Sequence, residues 1–176
     1  IEASAGVRII RVATAAEMER VTLAEAAHSD VVVMAAAVAD YRPKQPAERK
    51  LAREDGVPEI VLEPTPDILA AVVSRRRPGQ VIVGFAAETG DAIARGSQKF
   101  ARKGVDLLVV NDVTADGAGF DHDTNVVSII SRGGVEALPM QPKSAVADAV
   151  WDRVLPLLPD RAIARGGPMF PAERQP

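Results

Sequence analysis

Cysteine is absent from the chain, which removes disulfide staples, zinc–thiolate centres, thiol nucleophiles and aminoacyl thioesters on the chain itself. If cysteine takes part in the chemistry, it does so as a substrate. Histidine is scarce: the only two, His28 and His122, are too few and too far apart for a metal cluster or a Ser-His-Asp arrangement. Positive charge is not in excess either, because the formal net charge is −3. A protein that holds nucleic acid by neutralising phosphates carries a basic face, so nucleic-acid binding is not expected. The apolar runs, such as residues 31–39, fall far short of the ~20 residues that span a bilayer, and no basic stretch precedes an apolar one at the start. A soluble, cytoplasmic protein is expected. Neither G-x-G-x-x-G nor G-x-x-x-x-G-K-[ST] occurs, so the phosphate-cradling loops of dinucleotide and P-loop proteins are missing. An NAD-dependent oxidoreductase is disfavoured accordingly.

What is present is enough apolar material for one core: 176 residues, 47% hydrophobic and 26% charged. Short apolar runs alternate with segments of helical period. Residues 7–12, 31–37 and 81–87 read as strands, and residues 15–27 and 68–76 as helices. A further helix is expected over 91–103, followed by an unbroken, central strand over 105–110. This β–α alternation predicts an α/β fold, a Rossmann-like, mostly parallel sheet with helices on both faces. Beyond Asn111 the pattern changes: residues 126–131, a Gly133-Gly134 turn and residues 135–140 read as an antiparallel hairpin, with a last helix over 144–158 covering the sheet. One domain over 1–158 is expected, and the aperiodic Arg-, Gly- and Pro-rich tail, 159–176, is expected to be disordered.

In such a sheet, ligands collect at the carboxyl ends of the strands. That rule selects Ala35-Ala36-Ala37-Val38-Ala39-Asp40-Tyr41, Pro64-Thr65-Pro66-Asp67, Gly84-Phe85-Ala86-Ala87-Glu88-Thr89 and Val110-Asn111-Asp112-Val113. Small residues at Ala35, Ala36, Ala37 and Gly84 allow close backbone approach, though an alanine run also serves plain helix–sheet packing. About twenty residues between Ala37 and Glu59 break the rhythm, and a loop of that length inside a compact domain points to a lid. Lys44, Arg49, Lys50 and Arg53 lie on it. Lys99 and Lys103 form an i,i+4 pair on the helix over 91–103. Either set also fits an ordinary solvated face, but two sets converging on one crevice suit a triphosphate. The Asp121-His122-Asp123 run reads as a polar loop rather than a metal site.

Taken in order, several segments resemble the phosphopantothenate–cysteine ligase domain of coenzyme A biosynthesis. They are Ala35 through Arg42, Lys50-Leu51-Ala52-Arg53, Thr65-Pro66-Asp67-Ile68-Leu69, Val83-Gly84-Phe85-Ala86-Ala87-Glu88-Thr89, Lys99 with Lys103-Gly104-Val105-Asp106-Leu107, Asn111-Asp112-Val113, and Gly119-Phe120 through Asn125. The similarity runs over residues 7–158. In bacteria this domain usually forms the C-terminal half of a bifunctional protein whose other half is a flavin-dependent decarboxylase, so FMN is expected only on such a fused domain. The resemblance implies CTP, 4′-phosphopantothenate and L-cysteine as substrates, a divalent cation such as Mg2+, and a homodimer. CTP would activate the carboxylate as an acyl-cytidylate, and the cysteine amine would then displace CMP. By the same resemblance, Met34, Ala35, Ala36, Asp40, Pro66, Asp67, Ile68, Leu69 and Phe85 line the nucleotide, Lys99 and Lys103 face its phosphates, and Asp40 is the candidate metal ligand. Lys50 on the lid is the catalytic candidate, serving the cysteine-dependent half-reaction, and also touches the nucleotide.

This sequence departs from the family pattern in two places. Ala52 and Arg53 follow Lys50 where further lysines are common, replacing a flexible ammonium by a planar guanidinium. The Gly-rich strand–helix unit with an Asn-Arg-Ser-Ser-Gly-Lys-type motif, which opens the family domain, has no counterpart among these residues. A CTP-binding or dimerising fragment without full activity is therefore the alternative expectation.

Overall fold

The computed structural model describes residues 6–45, 47, 49, 54, 56–112 and 122–160. Its centre is a five-stranded sheet in the order β1-β4-β5-β7-β8. Strands β1 (Val31–Met34), β4 (Val81–Glu88) and β5 (Leu107–Asp112) run parallel, and β7 (Val127–Ser131) and β8 (Gly134–Ala137) continue the sheet antiparallel. The register pairs Met34 with Gly84 and Ala87 with Asn111, so the carboxyl ends of the three parallel strands finish side by side. β5 takes the middle position, as its unbroken apolar run predicts.

Two cores follow from the period-2 alternation of side chains along these strands. On one face, Ile82, Ala86, Leu108, Val110 and Ile130 pack with Ala26 of α1 (Ala15–Ala26), Ile68 and Val72 of α2 (Ile68–Ser74), and the half-buried Ala92 and Phe100 of α3 (Ala92–Lys103). On the other, Val81, Val83, Leu107, Val109, Val127 and Ile129 pack with Val146, Val150 and Val154 of α4 (Lys143–Val154), with Phe85 against them. Helices thus cover both faces, as expected.

Local chemistry sets the helix ends. Thr14, Asp67 and Asp91 cap α1, α2 and α3, their side-chain oxygens accepting from the amides of Glu17, Ala70 and Ala94. Gly104 ends α3 in the left-handed region with φ 66°, a conformation glycine adopts without a Cβ penalty. Gly96 lets α3 lie close on the sheet: a Cβ there would come within 2.5 Å of Val110 Cγ2 and 2.9 Å of Ile130 Cδ1.

The strand expected over residues 7–12 is not formed. These residues pair with no strand, and Val7, Ile9, Ile10 and Val12 are exposed. A strand is stable only when its backbone groups find a ladder. β1 is the outer strand of the sheet, and among the described residues nothing pairs with its free side. The apolar run of residues 7–12 is present, but among the described residues it has no strand to pair with.

The loop expected between Ala37 and Glu59 is partly ordered. Its two ends join as an antiparallel ribbon of β2 (Tyr41–Pro43) and β3 (Leu62–Pro64). Arg42 Nε donates to Glu63 Oε1 at 2.8 Å across the ribbon, and the Lys44 amide donates to the Val61 carbonyl at 2.9 Å. Lys50 and Arg53 lie outside the described residues, as do residues 161–176 of the tail and Asp121. After β5 the chain returns through β6 (Thr124–Asn125), which pairs with β9 (Gln141–Pro142) beside the start of α4.

Candidate functional site

The four segments selected by the strand-end rule do meet, at the carboxyl edge of β1, β4 and β5, but they divide between the two faces of the sheet. On the α2–α3 face stand Asp67, Ile68, Leu69, Glu88, Lys99 and Lys103. Helical side chains lean toward their own helix N-terminus. Lys99 and Lys103 lie in the last two turns of α3, and their ammonium groups reach carboxylates at the end of β4 and at the start of α2. Lys103 Nζ pairs with Asp67 Oδ2, and Lys99 Nζ lies 3.4 Å from Glu88 Oε1. Asp67 therefore works with both oxygens: Oδ1 accepts the Ala70 amide at 3.0 Å and caps α2, while Oδ2 holds Lys103.

Partial burial alone would raise the Asp67 pKa. The hydrogen bonds from Lys103 and the Ala70 amide, with the charges of Lys103 and Arg102, outweigh burial and hold it below its ordinary value. Ile68 is buried and Leu69 half-buried, so the contribution of this turn to a ligand comes from Pro66, Asp67 and the backbone of α2's first turn.

On the α4 face lies a cavity of about 310 Å3, walled by Ala35, Ala36, Ala37 and Phe85 on one side and by Asn111, Asn125, Lys143 and Val146 on the other. Asn111 is among the lining residues, and its Oδ1 is covered by protein with no hydrogen-bond partner among the described residues. Ala36 and Ala37 also wall a larger, open recess of about 720 Å3 between residues 12–15 and the β2–β3 ribbon, reaching Tyr41, Lys44 and Thr65. The small residues at the end of β1 thus form a thin partition between two concave spaces, which bulkier side chains would close.

Met34 is half-buried against the α1–α3 core, whereas Ala35, Ala36 and Asp40 are exposed. Asp40 is fixed through its backbone, its carbonyl accepting from the Thr65 amide at 2.9 Å, while the Thr65 hydroxyl donates to the Ala39 carbonyl. Among the described residues no group of three or more His, Cys, Asp or Glu side chains is placed to hold a metal ion. Asp40 alone does not make a cation cage; Mg2+ characteristically takes one or two carboxylates together with substrate phosphates and water, and no chemical step is routed through it.

Sequence reasoning picked out Asn111 and Asn125 as members of motifs, without a role. It missed Lys143, Val146 and Ala147, which line the α4-face cavity. The available signal was the Pro142-Lys143 pair opening the last helix, since a helix start facing a strand-end crevice is where ligand contacts gather. Pro142 is indeed the N-cap of α4.

Among the described residues no helix is long and apolar enough to cross a membrane. Comparison with known proteins agrees with this architecture. The family model described as the DNA/pantothenate metabolism flavoprotein C-terminal domain matches residues 1–157. The coenzyme A biosynthesis bifunctional protein CoaBC of Bacillus subtilis (strain 168) is 39% identical over 149 residues, covering 84% of this chain and 36% of that protein. A protein named cysteine/cysteine sulfinic acid decarboxylase, from an unknown prokaryotic organism, is 35% identical over 156 residues, 88% of this chain and 44% of that one. The chain therefore spans less than half the length of these relatives. The solved C-terminal domain of a coenzyme A biosynthesis bifunctional protein CoaBC is 32% identical with a TM-score of 0.65, covering 84% of this chain and 66% of that one. With a sheet, a pair of crevice lysines and a small-residue strand end that all fall within the matched span, the chain belongs to the DNA/pantothenate metabolism flavoprotein C-terminal domain family.

Proposed function

We propose that this chain carries the nucleotide and acid sites of a CTP-dependent phosphopantothenate–cysteine ligase. The observation that supports the reading is that α3 carries Lys103, paired with Asp67 at the start of α2, and Lys99, paired with Glu88 at the end of β4. In the first half-reaction a carboxylate oxygen of 4′-phosphopantothenate attacks the α-phosphorus of CTP, the bond to the pyrophosphate oxygen breaks, and an acyl-cytidylate forms. In the second, the amine of L-cysteine attacks the acyl carbon, loses its proton, and CMP departs with the bonding pair.

Negative charge gathers on the phosphoryl oxygens at both stages, and the chain meets it with ammonium groups aimed from a fixed helix. Their pairing with Asp67 and Glu88 keeps both lysines ordered before ligand arrives, which lowers the ordering cost on binding. The backbone of residues 35–37 and the turn from Pro66 to Leu69 supply close contacts to the nucleotide, and Phe85, at the strand ends on the α4 face, is assigned to it as an apolar wall. Lys50 is assigned to the second half-reaction, and Asp40 stays a nucleotide contact.

The test is pyrophosphate release with 4′-phosphopantothenate, comparing CTP with ATP, with and without cysteine. CTP is expected to bind at least about tenfold more tightly than ATP, roughly 1.4 kcal/mol. Equal affinities, or no release with either nucleotide from the chain joined to the family's Asn-bearing opening unit, would sink the reading.

A further inference from the structure

We infer that Glu88 is the positioning residue of Lys99 and keeps its ion pair when nucleotide binds, whereas Asp67 is a displaceable counter-ion that yields Lys103 to the incoming phosphate. The inference rests on the ligase reading and deepens it, since it gives the two ion pairs of α3 opposite roles. Before ligand arrives the pairs look alike: Lys99 Nζ lies 3.4 Å from Glu88 Oε1, and Lys103 Nζ meets Asp67 Oδ2. They differ in what each carboxylate would face without its lysine. The Glu88 side chain, at the end of β4, is 15% exposed, and Lys99 is its sole hydrogen-bond partner among the described residues. The Asp67 side chain is 51% exposed, its Oδ1 accepts the Ala70 amide at 3.0 Å, and the charge of Arg102 acts on it as well.

These surroundings decide which pair can open. A carboxylate with little access to water is strongly destabilised when its only cation leaves, whereas one at an exposed helix cap is taken over by solvent at small cost. Phosphate oxygens therefore do not draw Lys99 off Glu88. They need not, because an ammonium has three N–H donors and Glu88 occupies one. Lys99 is then a fixed post whose remaining donors meet the ligand. Lys103 has the opposite balance. A phosphate group of higher charge attracts it more strongly than a single solvated carboxylate does, and Asp67 still caps α2 through Oδ1 after Lys103 has gone. Lys103 held by Asp67 is not available to phosphate, and apparent affinity falls with the fraction of sites that are competent. Removing the two carboxylate charges therefore moves nucleotide affinity in opposite directions.

Calorimetric titration of the chain with CTP tests the division, for wild type, Asp67→Asn, Glu88→Gln, Lys99→Gln and the double variant Glu88→Gln with Lys99→Gln. Asp67→Asn keeps a good cap for α2 and is expected to bind CTP about threefold more tightly than wild type. Binding no tighter than wild type overturns the inference, and this arm decides even where Glu88→Gln does not fold. Glu88→Gln is expected to weaken CTP binding about tenfold in the wild-type background and less than about twofold in the Lys99→Gln background, because a positioning residue acts only through the group it holds. A larger loss in the Lys99→Gln background would make Glu88 a structural residue of β4, and no loss in the wild-type background would make it a bystander; either overturns the inference alone. A wild-type chain that binds no CTP overturns the ligase reading, and this inference with it.

Discussion

Replacing Gly96 by alanine adds a single methyl group at the point where α3 touches the sheet. The new Cβ would lie 2.5 Å from Val110 Cγ2 and 2.9 Å from Ile130 Cδ1, against about 3.5–4.0 Å for relaxed carbon contacts. Val110 and Ile130 are both buried, at 2% and 3% exposure, so neither has free space to turn into. The helix must retreat by roughly 1 Å. Overpacking of this kind costs about 1–3 kcal/mol, and the better helix propensity of alanine returns up to about 1 kcal/mol. The net loss is about 1 kcal/mol, or a melting temperature lower by roughly 2–4 °C for a chain of this size.

The larger effect falls on function. Lys99 and Lys103 lie one and two turns further along the same helix, and a displacement near 1 Å of groups that position reactants can cost on the order of 100-fold in rate. Ala94→Gly on the exposed side of α3 is the control, because it weakens the helix by about 1 kcal/mol through propensity without pushing it off the sheet. Scanning fluorimetry and pyrophosphate-release rates on both variants decide the matter. If Gly96→Ala melts higher than wild type with full activity, or if the two variants lose activity equally, the tight seat of α3 is not what aims the lysines.

Lys103→Gln is expected to weaken CTP binding about tenfold and to slow both half-reactions, because a contact made in every bound state is lost. Lys50→Gln is expected to leave CTP affinity within about threefold while acyl-cytidylate accumulates, detected by mass; failure to bind CTP would instead make the loop a nucleotide clamp. Asp67→Asn keeps a good cap for α2 but loses the ionic hold on Lys103. Since the folded Asp67 pKa is depressed below its ordinary 3.8, its stabilisation is present above that value and fades as pH falls through the folded one. Melting curves of wild type and Asp67→Asn are therefore expected to differ at neutral pH and to converge below about pH 4. The hairpin of β7 and β8, whose outer strand is exposed along its length, is the expected contact of a homodimer, and sedimentation at micromolar concentration showing only monomer would refute it.

The parallel core was legible because its physics is local. The runs in β4 and β5 are long, β-rich and apolar on both faces, and such runs are stable only between two layers of helix. The capping aspartates and the glycine that bound α2 and α3 are equally local signals, although periodicity alone placed these helices. Residues 7–12 misled because an apolar run records burial preference and carries no information about whether a neighbouring strand exists. The β2–β3 ribbon escaped notice because Pro43, Pro64 and three-residue strands give almost no alternation to read, and its pairing is set by residues about twenty apart. For the site, Lys99 and Lys103 could be chosen from their i,i+4 spacing. Their carboxylate partners Asp67 and Glu88, and the division of the crevice into two faces, depend on contacts between segments distant in sequence, such as Lys103 with Asp67.

The ribbon has a consequence for how such domains tolerate change in length. By pairing Pro43 with Leu62 and tying Thr65 to the backbone of Ala39 and Asp40, it closes the excursion at its base. The entropy of a closed loop grows only with the logarithm of its length, so doubling the number of residues between the two strands costs about 0.6 kcal/mol. Insertions and deletions beyond Lys44 are therefore nearly neutral for the fold. The same change made on the other side of β2, between Ala39 and Tyr41, would shift the ribbon's register and turn every side chain on that strand to the opposite side. Length variation is confined to one side of Arg42 and Glu63, and the partition at Ala36 is insulated from it.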